Sequence, residues 1–323
     1  MVTIVNSTRT KLFFIWFSFF GVIKCSSEVL SSLENSPYGS CAFLVRIPTV
    51  QKRLMFNDHF HEVYFKARDQ VLLNGLLRIH AHASATIIVV GGWWPGRKEL
   101  HSILVPMLPE SQFNILLMDA RGHGKSSGAS VWRSFSSFAE HEYNDIIGAI
   151  EFAHRTLNKP IIVWGTSAGA FYAVHALLAL TQEKKIAELN VKGLIFDSGW
   201  ASRLEVIHDT SHGYIKKLVP RFLQKPLFAI LCAIYCRIIQ PIHMQQEKKL
   251  NLYDKIHLLT VPVFYIHAIN DVLSSIDHVK KLYEKTSRGY CWWIENSLHA
   301  FNHCSRKTEY CSKLINFCVK NIN

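Results

Sequence analysis

Pro160-Ile-Ile-Val-Trp-Gly165-Thr-Ser-Ala-Gly-Ala170-Phe-Tyr-Ala-Val-His175-Ala-Leu-Leu-Ala-Leu180 changes its pattern within five residues. Pro160 to Trp164 is a short, β-rich apolar run, as expected of a strand buried on both faces. Ala168 to Leu180 is a helix-length run rich in Ala and Leu. Between them, Gly165-Thr-Ser-Ala-Gly169 is a G-x-S-x-G turn in strand-to-helix context, where a serine is lifted above the sheet on a strained backbone. Glycines at 165 and 169 let neighbouring backbone pass without a Cβ clash. The competing reading is a serine that merely caps a helix in a glycine turn, and the residues on either side decide between the two.

Outward from this turn, short apolar runs alternate with helix-length amphipathic ones. His61–Lys66 and Val71–Leu77, around a turn at Arg68-Asp69-Gln70, predict an opening β-hairpin. Strands are expected at Thr86–Val90, Asn114–Met118, Pro160–Trp164 and Val191–Phe196, with helices at Arg97–Leu108, Ser136–Thr156 and Ala168–Leu180. The alternation stops from about Ser198 to Leu259. It resumes with Pro262–His267, a helix at Ile276–Glu284, Tyr290–Ile294 and a last helix at Arg306–Val319. Such an order predicts an α/β fold: a mainly parallel sheet flanked by helices on both faces, with a helical cap inserted at about 198–259. Inside that cap, Pro226–Cys236 carries no charge, and nine basic residues stand against four acidic ones.

An acid and a histidine follow the serine in the order that nucleophilic catalysis on such a sheet requires. Asp271 comes just after the strand ending at His267, and His299 after the strand ending near Ile294. Both would emerge at the carboxyl ends of parallel strands, where α/β sheets place their ligands. Asp277 reads better as a helix cap. His303 is the rival base, four residues past His299. His59, His61, His80 and His82 read as strand or turn polar residues. The tetrahedral intermediate of acyl transfer needs two backbone N–H donors. Ala168, after the serine, and Trp93, in the Gly91-Gly-Trp-Trp-Pro-Gly96 loop, are the candidates, with Gly92 and Trp94 as pocket residues; ordinary packing is the other reading of the tryptophans.

These segments, with Asp119-Ala-Arg-Gly-His-Gly-Lys-Ser-Ser-Gly128, carry a resemblance. Over residues 60 to 320 the chain resembles the α/β-hydrolase superfamily, in its serine aminopeptidase and monoacylglycerol lipase-like branch. The resemblance implies that the Asp119 segment supports the loop beside the active site and is not itself catalytic. Two positions depart from the branch: Gly91-Gly92 where His-Gly is usual, and Ala268 where a glycine follows the histidine. The expected activity is a serine hydrolase of acyl esters, carboxylesterase or lipase-like, with Ser167 as nucleophile, His299 as base and Asp271 as its partner. A peptidase or thioesterase of the same fold is the alternative, and a catalytically silent hydrolase fold used for binding is the rival from another class.

The composition fits this reading. Of 323 residues, 49% are hydrophobic and 19% charged, which excludes disorder. The net charge of +12 is scattered, without the aromatic-interleaved basic run of a nucleic-acid binder, so an anionic membrane surface is the better partner. A cofactor is not expected. A metal at His299 and His303 is not expected either, because no nearby acid completes a ligand set. Arg9 and Lys11 precede the apolar Leu12–Ile23, and Cys25-Ser-Ser27 follows Lys24. Residues 1–27 thus read as a signal peptide or short membrane anchor, with a peripheral amphipathic anchor or a buried helix as alternatives. Residues 28–59 form an extension, and 60–323 the hydrolase domain. The chain is then membrane-associated or exported, the alternative being cytoplasmic. Cys304, Cys311 and Cys318 recur every seven residues, which predicts a buried stripe on the last helix.

Overall fold

The computed structural model describes residues 60–92, 108, 112–128, 140–206, 208, 209, 230, 248 and 250–322. The expected targeting segment and extension (1–59), Trp93, Trp94, residues 97–107 and most of the cap, including Pro226-to-Cys236 apart from Ile230, lie outside the described residues.

The hairpin forms as expected from β1 (Phe60–Lys66) and β2 (Leu72–Arg78). Its turn is closed by Ala67 N–H to Val71 O at 2.8 Å, with Gln70 at φ +70°. Next come β3 (Ala85–Val90), β4 (Phe113–Met118), α1 (Tyr143–Leu157), β5 (Ile161–Thr166), α2 (Ala168–Gln182) and β6 (Val191–Asp197). After residue 259 follow β7 (Val263–Ala268), α3 (Ile276–Glu284), β8 (Gly289–Ile294), α4 (Asn302–Ser305) and α5 (Lys307–Ile322). The strands make one eight-stranded sheet in the order β1-β2-β4-β3-β5-β6-β7-β8. β1 and β2 pair antiparallel, β2 joins β4 antiparallel, and the remaining neighbours are parallel.

The central strands β3, β4 and β5 are buried at every position because both faces are covered. Ile88, Val163, Leu194 and Phe196 face a cluster that includes Ile146, Ile147, Phe171 and Leu177 of α1 and α2, with Val279 and Leu282 of α3. Their chain neighbours Ile87, Ile162 and Ile195 face the other side, where Tyr310, Leu314, Phe317 and Cys318 of α5 pack. Side chains alternate along a strand, so one sheet buries two cores. No helix among the described residues is long and apolar enough to cross a membrane.

Three expectations are corrected. α1 begins at Tyr143 rather than Ser136, because residues 140–142 form a turn, held by Asn144 N–H to His141 O and Asp145 N–H to Glu142 O. The cap of α3 is Ser275, whose hydroxyl accepts the Asp277 N–H at 3.3 Å, and Asp277 lies inside the first turn. The last helix, α5, forms as expected to within one residue at its start, but Arg306 (φ −138°, ψ 51°) separates it from α4, so Cys304 and Cys318 do not share a helix. Within α5 the buried stripe is Tyr310, Leu314, Phe317 and Cys318; Cys311 is half-buried, and Cys304 is half-buried and disulfide-bonded. A seven-residue spacing drifts by only about 20° around the helix, so Cys311 lies at the edge of the stripe that Cys318 joins.

The Asp119 segment folds into a brace at the end of β4. Asp119 Oδ2 accepts the Lys125 N–H at 3.2 Å, and Ser126 Oγ donates to Asp119 O at 2.7 Å. Arg121 donates to Asp145 Oδ1 of α1 at 2.8 Å and to both oxygens of Asp69 in the hairpin turn. Burial pushes the Asp145 carboxyl up, and the Arg121 guanidinium opposes it. At the two ends of the segment expected as a cap, Tyr253 donates to Glu205 at 2.9 Å, and Asp209 accepts the Ser275 N–H at 2.8 Å.

Removing one partner of a buried ion pair leaves an uncompensated charge, which costs about 3–5 kcal/mol, against about 0–1 kcal/mol for an exposed pair. In urea unfolding, Arg121→Leu is therefore expected to destabilise the protein several-fold more than Arg68→Leu, which breaks the surface pair with Glu183. Equal losses would contradict this account of the brace.

Candidate active site

Ser167 sits between β5 and α2 with φ 56° and ψ −121°, a conformation L-residues avoid. The turn is held in it by the Ser167 N–H bonded to Asp197 O at 2.8 Å, and by close backbone packing. A Cβ on Gly169 would collide with the carbonyl oxygens of Val90 and Gly91, and one on Gly165 with the backbone of Ala170. The serine is raised at the carboxyl end of the sheet, and Ala168 opens the helix beside it with its N–H. Gly92 lies against Ser167, since a Cβ there would be 3.0 Å from Ser167 Cβ. The loop after β3 thus comes close to Ser167 at Gly92.

Asp271 and His299 come to the same place from β7 and β8. His299 Nε2 is 2.8 Å from Ser167 Oγ, and His299 Nδ1 is 2.7 Å from Asp271 Oδ2. A carboxylate only accepts, so Nδ1 carries the proton and donates, which leaves Nε2 to accept from the serine hydroxyl. Asp271 Oδ1 accepts the N–H groups of Leu273 at 2.8 Å and Ser274 at 3.1 Å. Burial alone would raise the Asp271 carboxyl, but the His299 charge and hydrogen bond, with His267 and the Leu273 N–H, hold it below its usual value. Asp271 therefore stays ionised opposite the imidazole.

His303, the rival base, stacks on Phe301 and meets Tyr310 edge-on. Among the described residues no group of His, Cys, Asp or Glu could hold a metal ion. Trp93 and Trp94 lie outside the described residues, so their expected roles rest on the sequence.

Residues that the sequence reading did not single out stand behind this row. His267, fully buried, donates from Nε2 to Ser274 O at 2.9 Å, and the same nitrogen is 3.5 Å from Asp271 Oδ2. Its Nδ1 is buried without a partner, as expected of a neutral ring with its proton on Nε2. Asp197, Ser198, Asn302 and Tyr310 form a second buried group beside the His299 loop. Asp197 had a visible signal, as an acid directly after an apolar run, but nothing nearby in sequence names its partners.

The family described as serine aminopeptidase, S33, matches residues 81–227. No curated protein matches the chain. Among solved structures, an esterase from Pyrococcus furiosus aligns with TM-score 0.62 at 19% identity, covering 84% of this chain and 94% of its own. An α/β hydrolase from Penicillium sp. sh18 aligns with TM-score 0.58 at 15% identity, covering 81% and 99%. A proline iminopeptidase from Mycobacterium smegmatis aligns with TM-score 0.56 at 12% identity, covering 80% and 98%. At these identities the likeness is one of fold.

Burial lowers the pKa of His267 from 6.5, with Asp271 opposing. The unfolded chain then takes up this proton at a higher pH than the folded one, so stability is full above about pH 6.5 and is lost as the pH falls below it. The thermal midpoint between pH 7 and 5 is expected to fall less steeply in His267→Gln, which keeps a donor for Ser274 O, than in the wild type. An unchanged slope would contradict a neutral, buried His267.

Proposed function

We propose that this chain, whose fold is that of α/β hydrolases, is a serine hydrolase that cleaves acyl esters through a Ser-His-Asp triad. The observation that carries this reading is the row Ser167–His299–Asp271, with contacts of 2.8 and 2.7 Å. Ser167 Oγ attacks the acyl carbonyl while His299 Nε2 takes its proton, and Asp271 stabilises the imidazolium and holds the ring. The oxyanion is received by the N–H of Ala168 and, from the loop after Gly92, that of Trp93; one such donor supports about 10²–10³ in rate. The tetrahedral intermediate collapses, and His299 returns the proton to the leaving alkoxide. Water, deprotonated by His299 in turn, then releases the acid from the acyl-enzyme and restores Ser167.

An acyl ester is favoured because apolar side chains are exposed at the acid and the base. Ile269 and Val272 flank Asp271, and Leu298 precedes His299, each 36–44% exposed. That surface suits a hydrocarbon chain better than a peptide backbone, whose amides would lose water without partners. The matched family is described as an aminopeptidase, which keeps the peptidase reading in view. A disulfide at Cys304 fits an oxidising compartment, the destination proposed for the leader-like residues 1–27.

A fluorophosphonate probe is expected to label the wild-type protein at Ser167 and to leave a folded Ser167→Ala variant unlabelled. p-Nitrophenyl esters are expected to turn over faster than aminoacyl p-nitroanilides. Labelling that survives the substitution would remove Ser167 as nucleophile, and faster anilide turnover would favour the peptidase.

A further inference from the structure

β6 ends at Asp197, which is 1% exposed, and both halves of that residue are engaged. Its backbone carbonyl accepts the Ser167 N–H at 2.8 Å. Its carboxylate accepts from Tyr310 Oη at 2.6 Å, Asn302 Nδ2 at 2.8 Å and Ser198 Oγ at 2.9 Å. Ser198 Oγ in turn accepts the Ala300 N–H at 3.0 Å and Asn302 Nδ2 at 2.9 Å. A serine hydroxyl has one proton and two lone pairs, so all three are engaged and the direction is set. Ser198 donates down to Asp197 and receives from the loop that carries His299. Burial raises the Asp197 carboxyl, while the Tyr310, Asn302 and Ser198 bonds favour its charged form.

The backbone shows what this group holds. Ala300, directly after His299, has φ +61°, and Ser198 has φ +54°. Such left-handed positions are strained for non-glycine residues and persist only where surrounding contacts enforce them. Here the two strained residues are joined by the Ala300 N–H to Ser198 Oγ bond. The Ser198 N–H is bonded to Ile266 O at 2.9 Å, which anchors the same residue to the strand leading to Asp271. Residues 197 and 198 thus touch the backbone of the serine turn, of the histidine loop and of the acid's strand.

We propose that Ser198, anchored by Asp197, Asn302 and Tyr310, is a positioning residue that sets where the His299 imidazole stands relative to Ser167. The proposal rests on the reading of Ser167 as nucleophile and His299 as base. Ser198 touches no reacting atom; it acts through the Ala300 backbone. Without its hydroxyl, the Ala300 N–H and Asn302 amide lose their acceptor, and the loop can relax from the strained conformation that aims His299. A displacement of about 1 Å between reacting groups costs up to about 100-fold in rate.

Ser198→Gly separates this role from a purely structural one, because glycine suits φ +54° and so relieves strain while deleting the hydroxyl. The full-length variant is expected to fold. Its kcat on p-nitrophenyl butyrate should fall about 10- to 100-fold, with KM changed by less than about twofold, as for an interaction felt in the transition state. The downfield proton resonance of His299 Nδ1–H, bonded to Asp271, should shift or broaden. An unchanged kcat with an unmoved resonance, or a raised KM alone, would overturn the proposal. The resonance reads His299 placement without turnover, so it decides the matter even if the ester is not a substrate, whereas failure of probe labelling at Ser167 in the wild type overturns the underlying reading. If Ser198→Gly does not fold, Ser198→Ala replaces it under the same criteria.

Discussion

The bond from the Ser167 N–H to the Asp197 carbonyl, 2.8 Å long, joins the most strained residue of the serine turn to the end of the neighbouring strand. Most of the site depends on it. β5 and β6 must run parallel and in register as far as Thr166 and Asp197 for the bond to form, and their register does so. The turn can then rise above the sheet only because Gly165 and Gly169 admit backbone where a Cβ would clash. The apolar strands with their two covered faces supply the rigidity that lets a residue persist at φ 56°.

Polar groups around the site are arranged so that each buried charge meets donors. Asp271 receives two backbone N–H groups and the imidazole, and Asp197 receives a phenol, an amide and a hydroxyl. These carboxylates end or follow adjacent strands, β6 and β7, and one faces the histidine ring while the other faces its loop. A buried charge left without such partners would cost several kcal/mol. The donors are therefore structural requirements of the carboxylates as well as guides for His299.

Much of this was legible in the sequence. The strands and most helices show as local periodicities, and the serine turn as a five-residue motif, because both depend on residues close together in the chain. Asp271 and His299 could be named because each follows a recognisable strand, and chain order then assigned their roles. The Asp197 group was not legible: Asn302 and Tyr310 reach it across 105 and 113 residues, and nothing local to either marks the pairing. That Cys304 lies outside the last helix was hidden for a related reason, since no glycine or proline near the non-helical Arg306 marks the separation. Ser275 and Asp277 both suit a helix cap by type, and only the extended backbone at Ser275 separates them.

The most direct measurement is the mass of the protein during turnover of a p-nitrophenyl ester, quenched in acid within the first cycles and mapped by peptide. The account predicts a transient adduct equal to the acyl group, on the peptide that contains Ser167, which disappears as the ester is exhausted. Hydrolysis without any adduct, or an adduct on another residue, would contradict it.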